Sequence, residues 1–149
     1  MAFLSSMDIA ASGITAQQRR LDTITENIVN RETTRTQNGG PYRRKLTVFR
    51  EIQGANSFTH ALKSARLRHG GSTKGGVMVS QIIEDESEFI PVYDPNHPDA
   101  NEEGYVMMPN VNTTVEMVDA MAASRSFSAN VSSFDAIKQM AMKALEIGR

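Results

Sequence analysis

The sequence predicts an α+β protein in which long N- and C-terminal helices form a coiled-coil-like helical domain around a small β-rich middle domain. Two apolar stripes point to the helices. From Phe3 through Met7, Ala10, Ile14, Gln17, Leu21 and Ile24 to Ile28, steps of four and three residues alternate, the a/d seam of a helix that lies against another helix, interrupted only by Gln17. Met117, Met121, Ser124, Phe127, Val131, Phe134, Ile137, Met140, Ala144 and Ile147 recur at similar intervals, a run of roughly 50 Å at ~1.5 Å per residue. In the middle, Val77, Val79, Gln81 and Ile83 recur at every second position, the period of a strand.

The elements follow in order. Leu4, Ser5 and Ile9 fit a hydrophobic staple around a serine N-cap, so the first helix is expected to start near Ser5 and end near Asn30, giving an N-terminal assembly helix over 1–30. Thr33, Thr34, Thr36, Asn38, Gly39, Gly40 and Pro41 are turn formers. Leu46, Val48 and Ile52 then alternate as in a strand, with Phe49 breaking the pattern, so 31–52 reads as a loop-and-strand linker. Residues 53–76 contain no acid, and Lys63, Arg66, Arg68 and Lys74 lie among Gly, Ser and His, with Phe58 and Leu62 at helical spacing; this reads as a flexible basic insert. Residues 77–110 form a small β-rich region with strands over 77–83, Phe89–Tyr93 and Tyr105–Met108, together making a small sheet. Thr113 with Glu116 reads as a capping box opening the C-terminal assembly helix of 111–149, and Gly148 as its stop.

Composition narrows the function. A chain of 149 residues with two long helices leaves about half its length for anything else, so a large active-site core is not expected. A net charge of −1 gives no overall field that would draw nucleic acid or an anionic membrane. With no cysteine, disulfides, thiolate metal sites and cysteine nucleophiles are absent. The start lacks the basic region of a signal peptide, and no run reaches the ~18 apolar residues of a membrane span.

Small residues mark the helices for close contact: Ala10, Gly13 and Ala16 on the first, Ala120, Ala123, Ser124 and Ser128 on the last. A glycine inside a helix costs ~1 kcal/mol against alanine, so Gly13 implies a second backbone passing close by. Spacing alone leaves open whether the two helices pair within one chain or between chains.

Four segments could carry chemistry. Asp99, Asn101, Glu103 and Gly104 match the first half of a calcium loop, but the twelfth position is Asn110 where a bidentate Glu is needed. His97, Pro98 and Asp99 reproduce the tripeptide of J-domain cochaperones, though between strands. Asp94, His97, Asp99 and Glu102 could form a metal or acid/base cluster, yet the three prolines nearby favour a rigid, solvated turn. Arg43, Arg44 and Lys45 could meet phosphate, but lack the aromatic interleaving that stacks bases.

Several blocks carry a resemblance. The segment from Asp8 to Gln17, the segment from Leu21 to Asn30 with Asn27, the segment from Gly39 through Gly40, Pro41 and Tyr42 to Lys45, and above all Val92 to Asn101 (with Asp94, Pro95, His97, Pro98 and Asp99), Gly104–Tyr105–Val106 and Pro109–Asn110–Val111–Asn112 resemble the bacterial flagellar basal-body rod proteins, proximal-rod members of the flagellar axial rod and hook family. The closing segment from Lys143 to Arg149 fits as well. The resemblance covers most of the chain except about 53–74, and its second half is the specific part. Arg31–Glu32, Asn96 and Ser126–Phe127–Ser128 depart from the family's usual residues.

The resemblance implies a structural subunit, not an enzyme, without cofactor. It implies a place in the periplasmic rod, export by the flagellar apparatus without a cleaved signal peptide, and partners among copies of itself and other rod proteins. Peptidoglycan or ring proteins are the contacts it suggests for the basic insert; it implies neither nucleic acid nor a membrane span. The terminal helices would pack between subunits through Phe3, Met7, Ile14, Leu21, Ile24, Ile28, Met117, Met121, Phe127, Val131, Phe134 and Ile137. Long helices without tertiary burial are marginal in water, so residues near 1–30 and 113–149 are expected to be largely disordered before assembly. Two rivals stand beside this reading: a self-contained helical adaptor or cochaperone, and a small metal-dependent hydrolase at His97 and Asp99.

Overall fold

The computed structural model describes residues 2–37, 39–52 and 75–147, and the side chains among them from Ser5 to Glu146. Residues 53–74 of the basic insert, with Phe58, Leu62, Lys63, Arg66, Arg68 and Lys74, lie outside the described residues, as do Gly148 and the side chains of Phe3 and Ile147. The elements run α1 (Ala2–Val29), β1 (Lys45–Glu51), β2 (Val77–Glu84), β3 (Ile90–Tyr93), β4 (Tyr105–Met108) and α2 (Thr113–Ile147). This is the expected α+β arrangement.

Helix α1 starts at Ala2, so Ser5 lies inside the helix and is not its N-cap. At the other end the Asn30 side chain donates through Nδ2 to the Glu26 carbonyl, 2.9 Å, and its Oδ1 accepts from the Thr33 hydroxyl, 3.1 Å. These bonds satisfy groups that the helix leaves open at its C-terminus. The chain then turns through Gly39 and Gly40, whose φ values of 79° and 86° suit glycine alone. The Tyr42 amide closes this turn by donating to the Thr33 carbonyl at 3.0 Å, which returns the chain to the end of α1.

The strands form two separate two-stranded antiparallel sheets, β1–β2 and β3–β4, in place of the single small sheet expected. In the first, Val48 pairs with Gln81 but Phe49 pairs with Val79, so Ser80 is an extra residue bulged out of β2, its hydroxyl donating to the Val48 carbonyl. The bulge flips the pleat. Val77 and Val79 therefore share a face with Ile82, the partner of Thr47, while Gln81 and Ile83 fall on the other side. The expected continuous face Val77, Val79, Gln81 and Ile83 is split, and the misplaced Phe49 of the sequence pattern sits at the same irregularity.

Helix α2 begins at Thr113, as expected, but its N-cap is Asn112: Oδ1 accepts from the Thr114 and Val115 amides at 3.0 and 3.3 Å. Glu116 does not reach back as a capping box; its carboxylate points into the protein. The two helices pack antiparallel along most of α1, and β1 and β2 pack on α1. Among the described residues the buried apolar core is thin, with Ala16, Ile24, Tyr42, Val106, Pro109, Val111 and Ala123.

Candidate assembly interface

Two of the most enclosed side chains among the described residues are polar. Asn27 and Glu116 are each only 1% exposed. Asn27 sits on α1 and uses both ends of its amide: Nδ2 donates to the Lys45 carbonyl at 2.9 Å and to Glu116 Oε2 at 3.1 Å, while Oδ1 accepts the Tyr42 hydroxyl and the Lys45 amide at 2.9 Å each. The other Glu116 oxygen accepts from Arg44 Nε at 2.6 Å, a charge-assisted bond. Arg44 also reaches Asp119 and Asp85, and Arg20 on α1 meets Asp119 at 3.4 Å. The Arg44 amide donates to Asn110 Oδ1 at 2.8 Å, and Asn110 Nδ2 donates to the Asp85 carbonyl and the Ser87 hydroxyl. One junction therefore ties together α1, β1, the segment after β2 and the start of α2.

Electrostatics follow from this packing. Burial, followed by the nearby carboxylates of Glu26, Glu116 and Glu84, pushes the Tyr42 hydroxyl well above its ordinary range, so it stays a donor. Asp85 is held below the usual carboxylate range, first by the Ser87 amide, with the Ser87 hydroxyl and Arg44 adding to it.

The apolar stripes sort into two faces. On α1, the buried positions are Gly13, Ala16, Thr23, Ile24 and Asn27; Met7, Ile14, Leu21 and Ile28 are half-buried. On α2, Glu116 and Ala123 are buried and Ala120, Phe127, Asn130, Val131, Phe134 and Ile137 half-buried, whereas Met117 and Met121 are 53% and 54% exposed. The face α2 turns to α1 thus begins one position before the expected stripe. Gly13 is buried, but what approaches it is a side chain of the same molecule: a Cβ there would meet Asn130 Nδ2 at 2.9 Å. The close neighbour inferred from this glycine is an amide on α2, not a second backbone.

The segments read for chemistry are built as turns. Asn101 Oδ1 accepts the Glu103 and Tyr105 amides, so the oxygen a calcium loop would use closes the β3–β4 turn. Asp94 Oδ1 accepts the Asn96 amide, His97 Nδ1 accepts the Asp99 amide, and Asp99 accepts the Thr34 hydroxyl at 2.8 Å. Gly104, with φ of 80°, lies under the Tyr93 ring, which meets Tyr105 edge-on at 5.3 Å. No group of three or more His or carboxylate residues able to hold a metal occurs among the described residues. Of the basic run, Arg43 donates to the Asp85 and Ser87 carbonyls and stacks on Phe89 at 4.4 Å, while Lys45 pairs with Glu26. All three cations face protein partners.

The structure thus brings Asn27, Tyr42 and Asn110 of the sequence blocks into one junction. Gly40 and Pro41 form the turn that delivers Tyr42; Asn30 caps α1, and Pro109 is buried before α2. Pro95, His97, Pro98, Asp99, Asn101, Gly104 and Tyr105 shape the β3–β4 hairpin, which Asp99 ties to the loop after α1 through Thr34. Sequence reasoning missed the central role of Glu116, Arg44 and Asp119. The available signal was an acid at the first position of the α2 face that continues through Ala120 and Ala123.

Among the described residues no helix is long and apolar enough to cross a membrane. Residues 7–35 match the family described as flagella basal body rod protein, and residues 102–147 match the C-terminal region described for the flagellar basal body rod FlgEFG proteins. The chain is 43% identical over 153 residues to the flagellar basal-body rod protein FlgC of Bacillus subtilis, all of each chain being covered. It is 38% identical over 149 residues to FlgC of Escherichia coli O6:H1, again over the whole of both, and 39% identical over 151 residues to that of Borreliella burgdorferi, covering 99% of this chain and 98% of the relative. The chain belongs to the FlgC family of bacterial flagellar basal-body rod proteins.

Proposed function

We propose that this protein is a structural subunit of the proximal rod of the flagellar basal body, joined through its terminal helices to copies of itself and to other rod proteins, as part of a tubular drive shaft for motility. Full-length kinship to rod proteins supports the role. The observation that carries the assembly reading is the apolar surface of α2 on the side away from α1: Val115, Met117, Val118 and Met121 are about half exposed. Patches of that kind mark interaction surfaces. Fully burying one such side chain stabilises by ~1.5–3 kcal/mol, so a few of them can hold neighbours together. Contacts that do not close on themselves extend along a helical path.

The role needs no catalytic residue. In this reading the chain reaches the periplasm through the flagellar export apparatus without a cleaved signal peptide, and the basic insert is the segment to test against peptidoglycan or ring proteins. The hydrolase alternative at His97 and Asp99 draws no support from the site, where His97 Nδ1 accepts the Asp99 amide within the β3–β4 turn and the Asp99 carboxylate accepts the hydroxyl of Thr34 in the loop after α1. The helical adaptor alternative is favoured only if the purified protein is a helical monomer that never enters a basal body.

The test is Met121→Asp. The side chain is exposed, so helicity and thermal stability of the purified chain stay as in the wild type, while swimming motility is lost and the chain disappears from isolated basal bodies. Normal motility would remove this face from the interface.

A further inference from the structure

Strands β3 and β4 pair Pro91 with Met107 and Tyr93 with Tyr105, so these four side chains stand on one face of the hairpin. The opposite face turns Val106 into the protein, where it is buried. On the outer face Tyr93 is 65% exposed, and Pro91, Tyr105 and Met107 are exposed beside it. The two rings meet edge-on at 5.3 Å, and Tyr93 rests against Gly104 and Pro95, so the platform is shaped before anything binds. An open apolar surface of this kind marks an interaction site.

Charge narrows what it fits. Residues 75–124 hold ten acids and no lysine or arginine, whereas residues 53–74 hold four such cations and no acid. Asp94, Glu102 and Glu103 adjoin the Tyr93–Tyr105 end of the platform, and Glu86 and Glu88 precede its other end. All five are exposed, and among the described residues none of them forms a salt bridge. Aromatic faces attract cations, and carboxylates around them add to the pull. The matching occupant carries apolar side chains and cations together. Residues 53–74 have that make-up, with Phe58 and Leu62 beside Lys63, Arg66 and Arg68.

We infer that the Pro91/Tyr93/Tyr105/Met107 face receives residues 53–74 of a neighbouring copy of this chain. The molecule's own segment is badly placed for it. That segment is anchored at Ile52 and Gly75, where Gly75 and Gly76 lie against Ile9 and Ser12 of α1. The hairpin is tied instead to Thr34, beyond the other end of α1. Ser12 and Val29 are about 25 Å apart along the helix. Phe58 and Arg68, six and seven residues from the anchors, cover ~22 and ~25 Å only when the chain is fully extended. Drawing both arms straight gives up most of their conformational freedom, a cost that a copy lying alongside avoids. The inference rests on the rod-subunit reading and adds a contact between subunits made outside the helix pair.

The test places the photoreactive residue p-benzoylphenylalanine at Met107 in cells lacking the wild-type chain, followed by irradiation of isolated basal bodies. The expected product has twice the mass of the chain, with the crosslinked peptide inside residues 53–74. A crosslink confined to one copy, an adduct with a different protein or with a glycan, a peptide outside 53–74, or no adduct would overturn the docking while leaving the rod role intact. Glu102→Lys with Glu103→Lys, both at exposed positions, is expected to leave the circular dichroism of the purified chain unchanged. The same pair should lower the crosslink yield per recovered chain about tenfold, because like charges then face each other. Adding Lys63→Glu with Arg66→Glu should restore at least about half of that yield. A yield that does not fall, or falls and is not restored, would also overturn the inference. Absence of the unsubstituted chain from basal bodies would instead overturn the rod reading itself.

Discussion

The two ends of the helix pair are held by different physics. Where the end of α1 meets the start of α2, Asn27, Tyr42, Arg44, Lys45, Asn110 and Glu116 make a saturated network with Glu116 and Asn27 nearly sealed from water. Toward the other end the helices touch through half-buried Ile14, Phe127, Phe134 and Ile137 and the small Gly13, and α2 finishes with Met140, Met142 and Leu145 mostly exposed. Buried polar groups are costly unless each partner is in place, so the junction specifies one arrangement within a single chain. Apolar residues left half covered specify nothing until a further surface arrives. The subunit's shape is set on the inner side of the junction, while exposed apolar surface remains on the outer side of α2 from Val115 to Met121 and at the looser end from Met140 to Leu145.

The strongest way to break that contrast is Glu116→Ala. Arg44 would lose its closest partner and Asn27 a hydrogen bond, and removing one member of a buried pair costs about 3–5 kcal/mol. A urea titration should show the midpoint falling steeply, with the helix pair and the β1–β2 sheet lost together; an unchanged midpoint would deny the junction its role. Gly13→Val probes the looser end, where the added atoms meet Asn130 and should cost about 1–3 kcal/mol. Combining Gly13→Ala with Asn130→Ala removes the collision and should recover up to ~1 kcal/mol through helix propensity. Asn112→Ala strips the α2 N-cap and should cost about 1 kcal/mol, read as a lower melting temperature.

The smallest expected effect is one of pH. Asp85 has its folded pKa depressed, so the stability it contributes is present above the ordinary carboxylate pKa and is lost as pH falls through the folded value. Asp85→Asn should therefore flatten the acid limb of the stability profile below about pH 4 and lower stability slightly at pH 7. An acid limb as steep as in the wild type would show that Asp85 does not carry this dependence.

Helices were legible in the sequence because long periodic stripes survive local exceptions, and even the disturbance at Phe49 marked a real bulge partner. The pairing of strands was not, because two separate hairpin-like sheets and one four-stranded sheet present the same alternation. The junction was hidden for a different reason. Glu116 at a helix start reads locally as a cap, and only tertiary contact with Arg44, 72 residues away, reveals it as a buried acceptor. A one-position offset separated the expected α2 stripe from the packed one, since small residues such as Ala120 and Ala123 face α1 while the larger Met117 and Met121 face outward.

Amide hydrogen exchange on the isolated, unassembled chain tests the central contrast most directly. The account predicts that amides of residues 20–29 and 115–123 exchange at least about tenfold more slowly than those of 5–12 and 131–146, a gap of ~1.4 kcal/mol or more in local opening. Equal and strong protection from one end of the helix pair to the other would contradict it.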